Sequence, residues 1–90
     1  MNVKVRVYAT LRRYLPDVPV GRSVVIELPG QATLGTALDR LGIPRAETKL
    51  CFVNGRQRDL DHCLHEADEL ALFPPIAGGD RPPVADQEHL

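Results

Sequence analysis

Val3, Val5 and Val7 alternate with Lys4, Arg6 and Tyr8 at the start of the chain. A period of two sends successive side chains to opposite sides of an extended backbone, so this segment reads as a strand with one buried and one wet face. Ala9–Leu15 breaks the alternation, and Pro16 and Pro19 bracket a loop. Extended character returns over Ser23–Leu28 through the β-branched Val24, Val25 and Ile26, and Pro29-Gly30 closes the run. The connection between these strands is too short for a crossover helix, which predicts an antiparallel pair.

The period then changes. Leu34, Ala37, Leu38 and Leu41 fall at i, i+3, i+4 and i+7, the spacing of an apolar stripe on one face of a helix. Thr33 is placed to cap its first amides, Gly42 to take the left-handed position after its end, and Pro44 to forbid continuation. A helix of about ten residues, apolar on one side only, has to lie across a sheet. Leu50–Val53 reads as a third strand ending in the turn pair Asn54-Gly55, with a short return strand over Arg56–Arg58. Asp59–Glu69 is polar and irregular, and Leu70–Phe73 is the last strand, stopped by Pro74-Pro75, which remove two ladder donors. The order β-β-α-β-β-β implies an α+β fold, a small sheet with one main helix packed on one face. Beyond Pro74 no periodicity survives: Ile76-Ala77-Gly78-Gly79 is a flexible strap, and Asp80–Leu90 a polar tail expected to be disordered.

Composition narrows what such a domain does. Ninety residues suffice for one small domain, and eleven Lys and Arg against twelve Asp and Glu leave a net charge of −1. That balance, with only four aromatic residues, argues against a nucleic-acid binder. The longest apolar runs, Leu50–Val53 and Leu70–Phe73, are far shorter than the roughly 20 residues a membrane helix needs, and no signal-peptide pattern opens the chain. A cytoplasmic protein without membrane attachment is the expectation. Cys51 and Cys63 match no metal or redox spacing, and His62, Cys63 and His65 lack a suitably spaced fourth ligand, so no metal site is expected. The carboxylates Asp59, Asp61, Glu66, Asp68 and Glu69 form either a solvated face or a docking surface for a basic partner. Arg12 and Arg13 read as solvated. With no Ser-His-Asp set and no phosphate-binding glycine loop, the chain shows no active site of its own.

The element order and its ending resemble the ubiquitin-like β-grasp sulfur carriers, and within them most closely the small subunit of molybdopterin synthase. The resemblance covers Val3–Gly79. It rests on Val5-Arg6-Val7-Tyr8-Ala9-Thr10-Leu11-Arg12, the helix Thr33–Leu41, Val53-Asn54-Gly55 and Leu60-Asp61-His62. Most specific is Asp68-Glu69-Leu70-Ala71-Leu72-Phe73-Pro74-Pro75-Ile76-Ala77-Gly78-Gly79, where Phe-Pro-Pro-x-x-Gly-Gly directly follows the last strand. The chain departs from the family's pattern twice. Ala67 stands in the turn where members often carry Gly, and Gly79 is followed by Asp80 where family carriers end.

The resemblance implies a β-grasp domain over residues 1–79 followed by a tail over 80–90, and chemistry at the carboxyl of Gly79 after removal of that tail. An ATP-dependent adenylating enzyme would convert the carboxylate to an acyl-adenylate. A persulfide delivered by a sulfurtransferase would then displace AMP, and the resulting thiocarboxylate would donate sulfur to a pterin precursor in the large subunit. No cofactor is held by the chain itself; ATP is used by the partner. Phe73, Pro74, Pro75, Ile76, Ala77 and Gly78 form the partner-binding strap, whose glycines lack side chains and suit a narrow channel. A tail-cleaving protease completes the implied partners. Other pathways (thiamine, cysteine or tRNA thiolation) and a β-grasp binding module without carrier chemistry are the alternatives.

Overall fold

Alternation along the first strand sets the two faces of the whole sheet. In the structure, a computed structural model that describes residues 1–19 and 21–75, β1 (Asn2–Val7) buries Val3 and Val5 and exposes Lys4 and Arg6. Its partner β2 (Val24–Glu27) runs antiparallel, with Val3 opposite Ile26 and Val5 opposite Val24. The third strand, β3 (Leu50–Val53), turns through Asn54 and Gly55, at φ 52° and 86°, into the two-residue β4 (Arg56–Gln57). Positive φ at both positions is the geometry that lets a two-residue turn follow the twist of its strands. Finally β5 (Glu69–Phe73) enters between β1 and β3, parallel to the first and antiparallel to the second. The order across the sheet is β2-β1-β5-β3-β4.

The one α-helix among the described residues, α1 (Leu34–Leu41), supplies the other layer. Thr33 caps it in a reciprocal box: its Oγ1 accepts from the Thr36 amide and Thr36 Oγ1 accepts from the Thr33 amide, each at 3.2 Å. Gly42 ends it at φ 76°. The helix is therefore eight residues long, shorter than its apolar spacing suggested. Leu34, Ala37 and Leu38 join Val3, Val5, Leu70 and Leu72 in one core, sealed by Leu11, Ile43 and Leu64 from the connections. This is the α+β, β-grasp arrangement that the sequence implied, a mixed sheet with one main helix on one face.

The connections depart more from expectation. Ala9–Tyr14 is a 3-10 helix that drives Leu11 into the core, and Arg45–Glu47 is a second, shorter one. The stretch before β5 is irregular, as its polarity suggested, yet tightly bound. The amides of Leu34 and Gly35 donate to the carbonyls of His62 and Leu60, and the Leu64 amide donates to Ala32. Asp68 is only 8% exposed. Its carboxylate accepts from Asn54 Nδ2 at 2.9 Å and from the His65 amide at 2.8 Å. It thus leaves the set of carboxylates read as a possible docking surface and ties the β3–β4 turn to the loop before β5. The strap residues Ile76, Ala77, Gly78 and Gly79 and the tail Asp80–Leu90 lie outside the described residues.

Ala67 sits in the left-handed region at φ 70°. A side chain there costs about 1–2 kcal/mol, partly offset because glycine would loosen the unfolded chain by about 0.4–1 kcal/mol. Ala67→Gly is therefore expected to stabilise the domain by about 0.5–1 kcal/mol. Urea denaturation checks this, and a loss of stability would show that the methyl group of Ala67 contributes more than its backbone strain costs.

Candidate partner-docking site

Because β5 has a neighbour on each side, its last residues are held from both. The Tyr8 amide donates to the Leu72 carbonyl at 3.1 Å, and the Lys49 amide donates to the Phe73 carbonyl at 2.8 Å. Pairing then stops, since Pro74 and Pro75 have no N–H to offer. Pro74 is buried and Pro75 exposed, so the backbone leaves the sheet from a packed root. Of the expected strap, the structure places Phe73, Pro74 and Pro75 at this exit.

Three of the chain's four aromatic residues meet there, on the sheet face away from α1. Phe73 stacks on Tyr8 with ring centroids 4.4 Å apart and planes 7° from parallel. Phe52 meets Phe73 edge-on at 5.7 Å and 82°. Aromatic pairs of this kind contribute about 0.5–1.5 kcal/mol beyond the area they bury. Strand register puts Ala71 on the same face, opposite Phe52 and Arg6. Val25, opposite Lys4, is 57% exposed there. Among the described residues no second layer covers this face, which carries an aromatic cluster at the exit and Lys4 and Arg6 along β1.

Both 3-10 helices stand at this same end. One follows β1, which runs parallel to β5, and the other precedes β3, which runs antiparallel, so each lies where β5 stops. A polar cluster braces them. The Tyr14 hydroxyl donates to Glu47 Oε1 at 2.6 Å, and Arg13 Nη2 donates to that same oxygen at 2.5 Å. The Arg13 guanidinium also lies 5.1 Å from the centre of the Tyr14 ring. Hydrogen bonding from Tyr14, then from Arg13, together with the Arg13 charge, holds the Glu47 carboxyl below the usual carboxylate range. Arg12 and Arg13 are both exposed, as read from the sequence, and Arg13 is in addition engaged in this brace.

The remaining candidates separate. Cys51 is buried, and burial pushes its thiol up to about 11, while Cys63 is exposed on the far side of the Thr33 bridge; neither forms a disulfide. Among the described residues, no three His, Cys, Asp or Glu side chains are grouped to hold a metal ion, and no helix is long and apolar enough to cross a membrane. Sequence reasoning singled out Phe73 but not Tyr8, Phe52, Tyr14 or Glu47. Alternation on β1 already put Tyr8 on the outer face; its pairing with Phe73 needed the strand order.

Comparison with known proteins adds to this geometry. The family model described as Mut7-C ubiquitin matches residues 1–79. Small archaeal modifier protein 1 of Haloferax volcanii is 34% identical over 79 residues, covering 72% of this chain and 91% of the relative. The crystal structure of that organism's SAMP1 superposes with a TM-score of 0.65 at 29% identity, over 88% of this chain and all (100%) of the other. Similarity in fold alone extends to a chain of the Helicobacter pylori complex of subunits 1 and 2 of molybdopterin-converting factor. There the TM-score is 0.56 at 20% identity, covering 88% of this chain and 100% of that one.

The brace gives a direct prediction. Tyr14→Phe removes the leading hydrogen bond to Glu47, so the Glu47 carboxyl is expected to titrate at higher pH than in the parent chain. A group held below its ordinary range stabilises the folded state above its unfolded-state pKa, and that contribution disappears as pH falls through the folded-state value. The variant should accordingly lose stability at neutral pH and converge on the parent in acid. Side-chain NMR titration of Glu47 reads the first effect and denaturation at pH 7 and pH 3 the second; an unmoved Glu47 midpoint would show that Arg13 alone holds it.

Proposed function

The chain belongs to the Mut7-C ubiquitin family, and we propose that it is a sulfur-carrier protein of molybdenum cofactor biosynthesis, with the carboxyl of Gly79 as its reacting group. The observation that carries this reading is the exit of the central strand. A β5 strand paired on both sides releases the backbone through Phe73-Pro74-Pro75 beside an aromatic face that no other described residues cover. From Pro74 to Gly79 the chain can span roughly 20 Å at about 3.3 Å per residue, enough to reach a site buried in a partner. The family match ending at Gly79 and the fold likeness to a molybdopterin-converting factor chain support the same reading.

In this role the domain reacts in partners' sites. The Gly79 carboxylate attacks the α-phosphorus of ATP on an adenylating enzyme and pyrophosphate leaves. A sulfurtransferase persulfide attacks the acyl carbon and AMP leaves; cleavage of the S–S bond by a thiol then frees the thiocarboxylate. The large subunit of molybdopterin synthase is the acceptor complex, docked on the Phe73 face. The name of the Haloferax relative favours a second reading, in which the activated Gly79 carbonyl passes to an amine on another protein.

In the 90-residue chain the Gly79 carboxyl is committed to its amide with Asp80, and an amide has no free oxyanion for adenylation. A protease that cuts after Gly79 therefore belongs to the proposal. A chain ending at Gly79 is expected to exchange one carboxyl oxygen for sulfur when incubated with adenylating enzyme, ATP and a sulfur donor, and the full chain is expected not to. Intact-mass spectrometry reads both. Failure of both forms, beside a working control carrier, would leave a protein-binding module without carrier chemistry. Phe73→Asp is expected to weaken binding to the large subunit by about tenfold or more, equivalent to about 1.4 kcal/mol, with the fold retained. Calorimetric titration checks this, and unchanged affinity would remove the aromatic face from the interface.

A further inference from the structure

At the end of the sheet where β5 begins, arginine and histidine side chains line a recess that the carrier reading does not use. Arg56 and Arg58, with His62 and His65 from the following loop, line a space of about 280 Å³ together with Val53, Asn54 and Asp68. The backbone there is fixed. Arg56 pairs with Val53 across the hairpin, and the Arg58 amide donates to Cys51 at 2.9 Å. The His62 carbonyl accepts from the Leu34 amide at 3.1 Å, and the His65 amide donates to Asp68 at 2.8 Å. These bonds hold the hairpin and the loop as two walls of one cleft.

The acids of the region are engaged elsewhere. Asp68, the only carboxylate lining the recess, has one oxygen on Asn54 Nδ2 and the other on the His65 amide, with His65 Nδ1 4.0 Å away. Asp59 and Asp61 line a different recess with Thr33, Arg45 and Leu60. Glu66 accepts from the Asn2 amide at 2.9 Å, and Glu69 faces Lys4 and Arg6 on the opposite side of the sheet. Neither Arg56 nor Arg58 has a carboxylate within ion-pair distance among the described residues.

We propose that this recess binds a phosphate group. Two guanidinium forks bring parallel pairs of N–H donors, and a carboxylate's two oxygens are satisfied by a single fork. A phosphate offers a third oxygen and a second negative charge, so it can engage both arginines and an imidazole together. Free pyrophosphate and the phosphates of a nucleotide share this chemistry. The site is built from the β3–β4 hairpin and the loop before β5 and does not depend on Gly79 chemistry.

Amide NMR of the full chain, titrated with pyrophosphate and separately with ADP against sodium chloride of matched ionic strength, tests the assignment. Saturable shifts are expected at Arg56, Arg58, His62 and His65, with affinity reduced about tenfold or more in R56A/R58A and in the milder R58Q/R56Q, as expected for lost charge-assisted donors. A K4A/R6A variant, altered on the other face, is expected to bind as the parent does. Equal affinity for both probes assigns the site to the diphosphate alone, and tighter ADP binding assigns it to a nucleotide. Identical shifts with sodium chloride, or full affinity in both arginine variants, would overturn the proposal. So would a glutamate-rich peptide that binds the recess more tightly than pyrophosphate, because it would identify an acidic protein segment as the ligand.

Discussion

The parallel pairing of β1 with β5 is the constraint on which the rest of the structure depends. Parallel neighbours cannot be joined by a tight turn, so the chain between them must cross the sheet, and α1 and β3–β4 are accommodated in that crossing. The pairing also seats the last strand at the centre of the sheet instead of at an edge. A central strand is hydrogen-bonded on both sides up to its final residue, which an edge strand is not. The backbone beyond Phe73 therefore leaves from a fixed point, and the ends of β1 and β5 lie together, which sets Tyr8 against Phe73.

Much of this was legible in the sequence wherever a local rule was sufficient. Period two in β1, the apolar stripe between Thr33 and Gly42, and the Asn54-Gly55 turn each express a constraint that acts within a few residues, and the structure follows them closely. The 3-10 helix over Ala9–Tyr14 was not legible, because six residues with one buried leucine carry no periodicity to detect. Asp68 misled for a related reason. A carboxylate in an acidic, irregular stretch reads as solvated, and only folding brings Asn54 from fourteen residues away to bond it. The brace of Tyr14, Arg13 and Glu47 likewise joins residues more than thirty apart. The Gly-Gly motif was legible as sequence, but its resemblance to carrier endings, not its geometry, gave it meaning.

The sheet's two faces do different work. One is closed by α1 into a continuous apolar core, and the other carries no second layer among the described residues and gathers its aromatics at one end. The polar brace near that end is solvent-exposed, where water and salt screen an ion pair, so its charge contributes little to stability. Its effect is geometric: it ties the turn after β1 to the turn before β3, and these flank the exit of β5. The carbonyl of Phe73 is already held by Lys49, so the brace and the ladder together define where the strap begins.

That fixed origin has a consequence for the proposed carrier role. Six residues from Pro74 to Gly79 restrict the terminal carboxyl to within roughly 20 Å of the docked face. Once the aromatic face is bound, delivery of the carboxyl becomes an intramolecular step, with the effective concentration that a short tether confers, on the order of millimolar. Docking affinity and chemical reactivity are then carried by different parts of the chain. The face can be recognised by an adenylating enzyme, a sulfur donor and an acceptor in turn, while the glycines need make no contact that distinguishes among them. A strap fixed to the sheet would lose that generality, because each partner would have to present its reacting atoms in one place. In the proposed role, two prolines that cannot join the ladder, set immediately after a strand held from both sides, mark the boundary between the docking surface and the segment that bears the reacting carboxyl.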